Sequence, residues 1–265
     1  MGFGFGLKKV VNLSPLFSIK IYDIMFSILF FIGILVLIAA KSKFEGGRMG
    51  ASGVGTAKNV KDDQGDYYVL AYIWEAESCY GSNNYPGCDD PQEYWEKYFV
   101  IHGLWPQYMN GGYPSNCDSE PFSEAAVQAV GMDTMIEMWP NVQDAVGTDD
   151  YYDFWDHEWT KHGTCSGLDQ TVYFNTTINL VKDFGTPSIV TTNVGNTIAA
   201  DDIRSAFGGS TKVALQCDSG KYLSGAFTCW SKDSNGYPKS QIDCANDVQG
   251  EDTCSSSSVT IPKFD

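Results

Sequence analysis

Residues 154–165 read FWDHEWTKHGTC and residues 99–107 read FVIHGLWPQ, and between them they hold His102, His157 and His162, the chain's three histidines. With Tyr152 and Asp153 ahead of it, the later stretch lacks proline and reads as a helix over 152–163 that closes on Gly163. At about 100° per residue, His157, Lys161, Glu158 and His162 fall at about 0°, 40°, 100° and 140°, with Trp155 and Trp159 at about 160° and 200°. Two imidazoles, an ammonium and a carboxylate therefore share one side of about a turn and a half of helix. The earlier stretch is β-branched and aromatic and reads as a strand over 98–105 that ends at Pro106.

Outward from these stretches, YYVLAYIW (67–74) has strand character. Phe122–Met138 carries apolar residues at spacings of three and four and reads as one helix ending before Trp139-Pro140. TVYFNTTINLVKDF (171–184) is a further helix, and residues 212–230 are two strands joined by a turn near Asp218–Gly220. Strands and helices are interspersed without strict alternation, which favours α+β over a doubly wound sheet.

The 265 residues are 43% hydrophobic and 19% charged, enough to bury a core. Lys+Arg is 17 against Asp+Glu 33, a net charge of -16, which argues against a broad basic face for duplex DNA or an anionic membrane. Eight cysteines spread over positions 79–254 without a CxxC pair read as disulfides rather than a zinc site. Ile24–Ala40 is an uncharged run behind Lys8, Lys9 and Lys20, and Ala40 and Ser42 offer a small-residue cleavage site, so residues 1–42 read as a signal peptide or signal anchor. Either one delivers the rest to an oxidising lumen, secreted or vacuolar/lysosomal, with the membrane a partner only if residues 24–40 stay uncleaved. Residues 43–66 read as a flexible Gly-rich linker and 67–265 as one domain. Loss of residues 1–42 removes four lysines and one aspartate, leaving 13 basic and 32 acidic residues and a charge of -19.

His157-Glu158 begins like the HExxH zinc motif. However, the second histidine stands at i+5 rather than i+4, and Lys161 occupies the ligand position, where its ammonium would repel a cation. No G-x-S-x-G is present for a serine hydrolase. No metal and no cofactor is therefore expected. Two imidazoles with a lysine and a glutamate suit cleavage of a phosphodiester by a neighbouring hydroxyl: one imidazole removes that hydroxyl's proton, the other protonates the leaving oxygen, and the cations stabilise charge on the phosphate. RNA has that hydroxyl and DNA lacks it.

HGLWP and HEWxKHGTC resemble the two active-site segments of the ribonuclease T2 family of secreted and vacuolar or lysosomal acid endoribonucleases. The similarity continues weakly over 67–265, through Trp74 and Cys79, Asn116-Cys117-Asp118 with Pro121-Phe122, Trp139-Pro140 and Tyr173-Phe174. The resemblance implies a disulfide-stapled α+β domain with an antiparallel sheet core and packed helices. It implies His162 as general base on the 2′-hydroxyl, His102 as general acid, Glu158 and Lys161 stabilising the transition state, and His157 holding the phosphate. Trp105 matches an aromatic at a base-binding site. Gln107 stands where members often have a carboxylate, and Tyr72, Ile73 and Glu75 depart from the family around Trp74, which opens the question of base preference. The expected substrate is single-stranded RNA, not DNA, cut through a 2′,3′-cyclic phosphate with an acidic optimum by a monomer; a catalytically silent binding module is the alternative, against which all five polar residues are present.

Eight cysteines allow about a hundred pairings. The resemblance implies Cys117 with Cys165 and Cys79 with Cys88; Cys217 with Cys229 would close the late hairpin and leave Cys244 with Cys254. Asn175-Thr176-Thr177 is a glycosylation sequon on the lumenal side, whereas Asn12 precedes the hydrophobic run.

Overall fold

The computed structural model describes residues 64–80 and 84–264; the expected targeting segment, Asn12 and the linker up to residue 63 lie outside the described residues. In chain order the elements are β1 (Tyr67–Ile73), α1 (Glu75–Ser78), α2 (Pro86–Asp89), β2 (Val100–Gln107), α3 (Glu124–Val130), α4 (Met132–Met138), α5 (Asp153–Lys161), α6 (Gln170–Phe184), α7 (Ser188–Thr191), β3 (Thr197–Ala199), α8 (Ala200–Ala206), β4 (Val213–Asp218), β5 (Tyr222–Lys232), β6 (Pro238–Ile242), α9 (Asn246–Gln249) and β7 (Ser258–Thr260). The strands form one sheet in the order β2-β1-β5-β7-β3, with β4 and β6 also paired to β5. All these pairs are antiparallel except β5 with β7. This is the expected α+β architecture. Among the described residues no helix is long and apolar enough to cross a membrane.

β1 explains where the site lies. It is buried along almost its whole length between β2 and β5, and its side chains alternate between the sheet's two faces. Tyr68, Leu70 and Tyr72 enter the main core with Trp139, Trp155, Trp159, Tyr173 and Phe174, whereas Tyr67 and Val69 meet Cys229, Cys244 and Val248, with Trp105 and Phe227 packed beside them. Helices cover the first face. Among the described residues the second is covered by the short segment around α9, which leaves room for a cleft.

The structure departs from the sequence reading at four places. β2 runs through Pro106 to Gln107, paired with Tyr68 and Tyr67; β2 is a sheet edge, where a residue without an N–H is tolerated. The helix expected over 122–138 is two, α3 and α4, because Gly131 adopts φ 114°, which ends one backbone ladder before the next begins. Gly163 is not a left-handed cap, since it falls outside the positive-φ residues; α5 ends at Lys161 and a 3-10 turn spans Gly163–Cys165. Glycine is needed there because a Cβ would overlap the Trp159 ring.

The fourth departure is the late disulfides. Cys79–Cys88 and Cys117–Cys165 form as expected, but Cys217 bonds Cys254 and Cys229 bonds Cys244. In the β4–β5 register Cys217 faces Leu223 near the turn, while Cys229 lies beyond the Val213–Thr228 pair and faces Ile242 of β6. At about 3.3 Å per strand residue the two are far too distant to bridge. The hairpin holds its register by backbone pairing, and its cysteines instead clamp the segment that follows β6.

Candidate active site

Three indole hydrogen bonds join the two histidine-bearing stretches. Trp155 Nε1 on α5 donates to the Trp139 carbonyl (2.8 Å), and Trp139 Nε1 donates to the carbonyl of His102 on β2 (2.9 Å). Trp105 Nε1, from the same strand, donates to Glu158 Oε2 (2.8 Å). The tryptophans that the helical arc turned away from the polar residues are 0% and 1% exposed, so α5 is fixed by its apolar side and its polar side is left for the cleft. Gly103 is required between His102 and Trp105, because a Cβ there would overlap Glu158 Oε2 and Trp105 Nε1. The far end of α5 is held by Cys117–Cys165, by Asn116 N donating to the Lys161 carbonyl (3.1 Å) and by Cys117 N donating to Thr164 Oγ1 (3.1 Å).

His102, Trp105, Gln107, His157, Glu158, Lys161 and His162 all line one cleft of about 400 Å³. Every expected catalytic and base-contacting residue is thus brought together. Trp105 lies between the two expected proton carriers: His162 stacks on its face (centroids 5.1 Å, 27°) and His102 meets it edge-on (5.0 Å, 78°). His102 Nε2 lies 3.6 Å from Glu158 Oε1. His162 is 4% exposed and its Nδ1 is buried with no hydrogen-bond partner among the described residues.

Electrostatics push this cluster toward neutrality. Burial, with His157 and Lys161 adding repulsion, lowers His102 to about 4; burial, then Lys161, His157 and His102, lowers His162 to about 3. Burial and then Lys161 also lower His157, with Asp156 opposing. Glu158, 1% exposed, is pushed by burial up to about 8 against the Trp105 hydrogen bond and Lys161. Both imidazoles are held well below their ordinary value, so protonation of either belongs to acid solution.

Sequence reasoning missed part of the cleft. Val69, Gly112, Tyr113, Phe227, Asp247, Val248 and Glu251 complete its lining. Tyr113 follows a glycine-rich loop, and Asp247 and Glu251 come from the far end of the chain; no local pattern marks them. A second cleft of about 430 Å³ opens on the other side of His102, lined by Ile73, Tyr85, Pro140, Phe154 and the buried Glu75, whose carboxyl burial pushes up to about 7 against a hydrogen bond from Ser78. Asn175 is exposed on α6, and Thr177 of its sequon is buried, donating to the Tyr173 carbonyl (2.8 Å).

The protein is thus an α+β domain whose sheet-backed cleft gathers three imidazoles, an ammonium and a buried carboxyl. Residues 65–244 match the model of the Ribonuclease T2 family, and the chain belongs to that family. It is similar to the intracellular ribonuclease LX of Solanum lycopersicum, 38% identical over 133 residues, 49% of this chain and 52% of that one. It is also similar to ribonuclease DdI of Dictyostelium discoideum, 35% identical over 198 residues, 70% of this chain and 80% of that one. The chain thus spans about half the length of the first and four-fifths of the second. Among solved structures it is similar to RNase NT in complex with 5′-AMP, with TM-score 0.61 and 28% identity over 76% of this chain and 99% of that one. Human RNase T2 shares the fold, with TM-score 0.58 and 21% identity over 76% of this chain and all of that one.

Proposed function

We propose that the protein is an endoribonuclease that cleaves single-stranded RNA without a metal or other cofactor, through a 2′,3′-cyclic phosphate to a 3′-phosphate, with an acidic optimum. The observation that carries this reading is the pair of imidazoles, His102 and His162, packed against the edge and the face of one indole in a cleft that also holds His157 and Lys161. In the proposed reaction His162 takes the 2′-hydroxyl proton as that oxygen attacks phosphorus in line, and His102 gives its proton to the 5′-oxygen as the P–O bond breaks. Lys161, Glu158 and His157 face the charge that builds on the phosphate. The cleft holding both histidines would take the nucleoside bearing the attacking hydroxyl; the second cleft, which touches only His102 of the pair, would take the leaving nucleoside.

The acidic optimum follows from the lowering of both imidazoles. The base must be neutral and the acid charged, and burial with the neighbouring cations lowers both His162 and His102 well below the ordinary histidine value, which moves the productive form of the free protein to acid pH. A bound phosphate anion favours both imidazolium forms and raises both limbs, toward the window of about 4 to 6 expected from the reference histidine value. Four disulfides among the described residues support a lumenal, secreted or vacuolar/lysosomal setting, with Asn175 as the glycan acceptor, residues 67–265 as the catalytic domain and the monomer as the working form. The test is digestion of total RNA, of 2′-O-methylated RNA and of DNA in EDTA. Cyclic phosphate and 3′-phosphate ends from RNA alone are expected; 5′-phosphate ends or loss of activity in EDTA would overturn the reading.

A further inference from the structure

Asp247 and Glu251 lie past residue 244, where the family match ends, yet both line the main cleft. Their segment is a built feature. Cys229–Cys244 and Cys217–Cys254 close its two ends, Arg204 binds Asp252 through two nitrogens (2.9 and 2.8 Å), and Val248 packs with Tyr67 and Val69 against β1. The Asp247 carboxylate is oriented by two backbone donors, Gly112 N to Oδ2 (2.9 Å) and Val248 N to Oδ1 (3.0 Å). Each oxygen keeps a further lone pair. Facing the same cleft is Gln107, which is 6% exposed and whose amide has no protein partner among the described residues. The amide is open to the cleft, where a ligand edge can take the place of water.

From this lining we infer that the cleft reads the Watson–Crick edge of guanine on the nucleoside that bears the attacking hydroxyl, with Gln107 donating to O6 and Asp247 and Glu251 accepting from N1–H and the 2-amino group. The three groups offer one amide donor and two carboxylate acceptors. Guanine presents the complement, one acceptor followed by two donors. Adenine and cytosine present a ring-nitrogen acceptor where guanine has N1–H, which a carboxylate repels, and uracil places a second carbonyl where guanine has the amino group. The remaining walls, Trp105, Tyr113 and Phe227, are aromatic and take any base face. The carboxylates repel phosphate while His157 and Lys161 attract it, so the cleft also sets which end of the nucleotide enters where.

This inference rests on the nuclease reading, and the test separates the two. Initial rates with GpU, ApU, CpU and UpU give kcat/KM for each at fixed pH. GpU should exceed every other by about tenfold or more, the range of one good bidentate base contact. Asp247→Asn keeps an oxygen for Gly112 N but loses an acceptor, and Glu251→Gln changes a side chain with no hydrogen bond of its own among the described residues. Each should lower the GpU/ApU ratio several-fold, and Gln107→Glu should lower it most, because a carboxylate meets O6. Cleavage of all four with equal kcat/KM, or variants that slow all four alike, would overturn the base reader and leave the nuclease standing. If none is cleaved, the nuclease reading fails, and calorimetry with the 3′-monophosphates of guanosine and adenosine decides the base reader: equal affinity would overturn it.

Discussion

Helix α5 delivers His157, Glu158 and Lys161 to the cleft, and His162 is the residue that caps its last turn, so all four come from within residues 157–162. The segment 244–254 delivers Asp247 and Glu251 to the same cleft through two disulfides, an arginine–aspartate pair and a patch of β1. The first arrangement is local: its order follows from helical geometry and two buried tryptophans. The second exists only when strands far apart in sequence have paired. The comparison teaches that three of the five residues proposed for the chemistry share one short helix, while Asp247 and Glu251, two of the three groups proposed to read the base, sit on a clamped peripheral segment that can change without disturbing that helix.

The sharpest way to break this division is to remove a proton carrier. His162→Ala or His102→Ala is expected to lower kcat by at least about 10²-fold on every dinucleotide, with melting temperature and base ratio near wild type. A single variant that stayed folded and kept nearly full turnover would remove that histidine from the mechanism.

Disulfides come next. Removing Cys117–Cys165 or Cys217–Cys254 by paired alanine substitutions should each destabilise by about 2–4 kcal/mol in denaturant titrations, but with different kinetic signatures. Loss of Cys117–Cys165, which anchors the end of α5, should slow all substrates together; loss of Cys217–Cys254 should chiefly flatten the base ratio. Identical signatures would erase the distinction, and peptide mapping that found Cys217 joined to Cys229 would refute the clamp.

Gly103→Ala probes the join between strand and helix. The added methyl overlaps both Glu158 and Trp105, and overpacking of this kind typically destabilises by about 1–3 kcal/mol. Turnover should fall with stability, because the indole that spaces the two imidazoles must move. Unchanged stability and rate would mean that the contact yields freely.

The smallest effect is on stability against pH. Glu158 and Glu75 have folded values raised to about 8 and 7, so the folded state holds their protons more tightly. Their contribution is present below about 4.5 and is lost as pH rises through 7 and 8. His102 and His162 are lowered, so the unfolded state takes up protons first, and stability falls as pH drops from about 6.5 through 4 and 3. A plateau between about 4.5 and 6.5 is expected, and Glu158→Gln should weaken the alkaline decline. An alkaline limb unaltered in that variant would assign the decline to other groups.

The polar arc of α5, the β1 and β2 strands, the α+β class and two of the four disulfides were legible because each depends on residues close together or on a specific motif. Gly131 and Pro106 were misread for the same physical reason. A periodic apolar pattern does not register that one residue adopts φ 114°, and a proline ends a strand only where its missing N–H would be needed, which the edge position of β2 decides. The sequence by itself determined which polar groups share one side of α5, since a helix fixes neighbours at three and four residues regardless of what it packs against. Only the tertiary structure decided what else faces them. Strand register carried Cys217 away from Cys229, the alternation of β1 put Tyr67 and Val69 on the face without helices, and those two facts together brought Asp247 and Glu251 to the cleft. Such placement depends on pairings between distant residues, which no periodicity within one segment encodes.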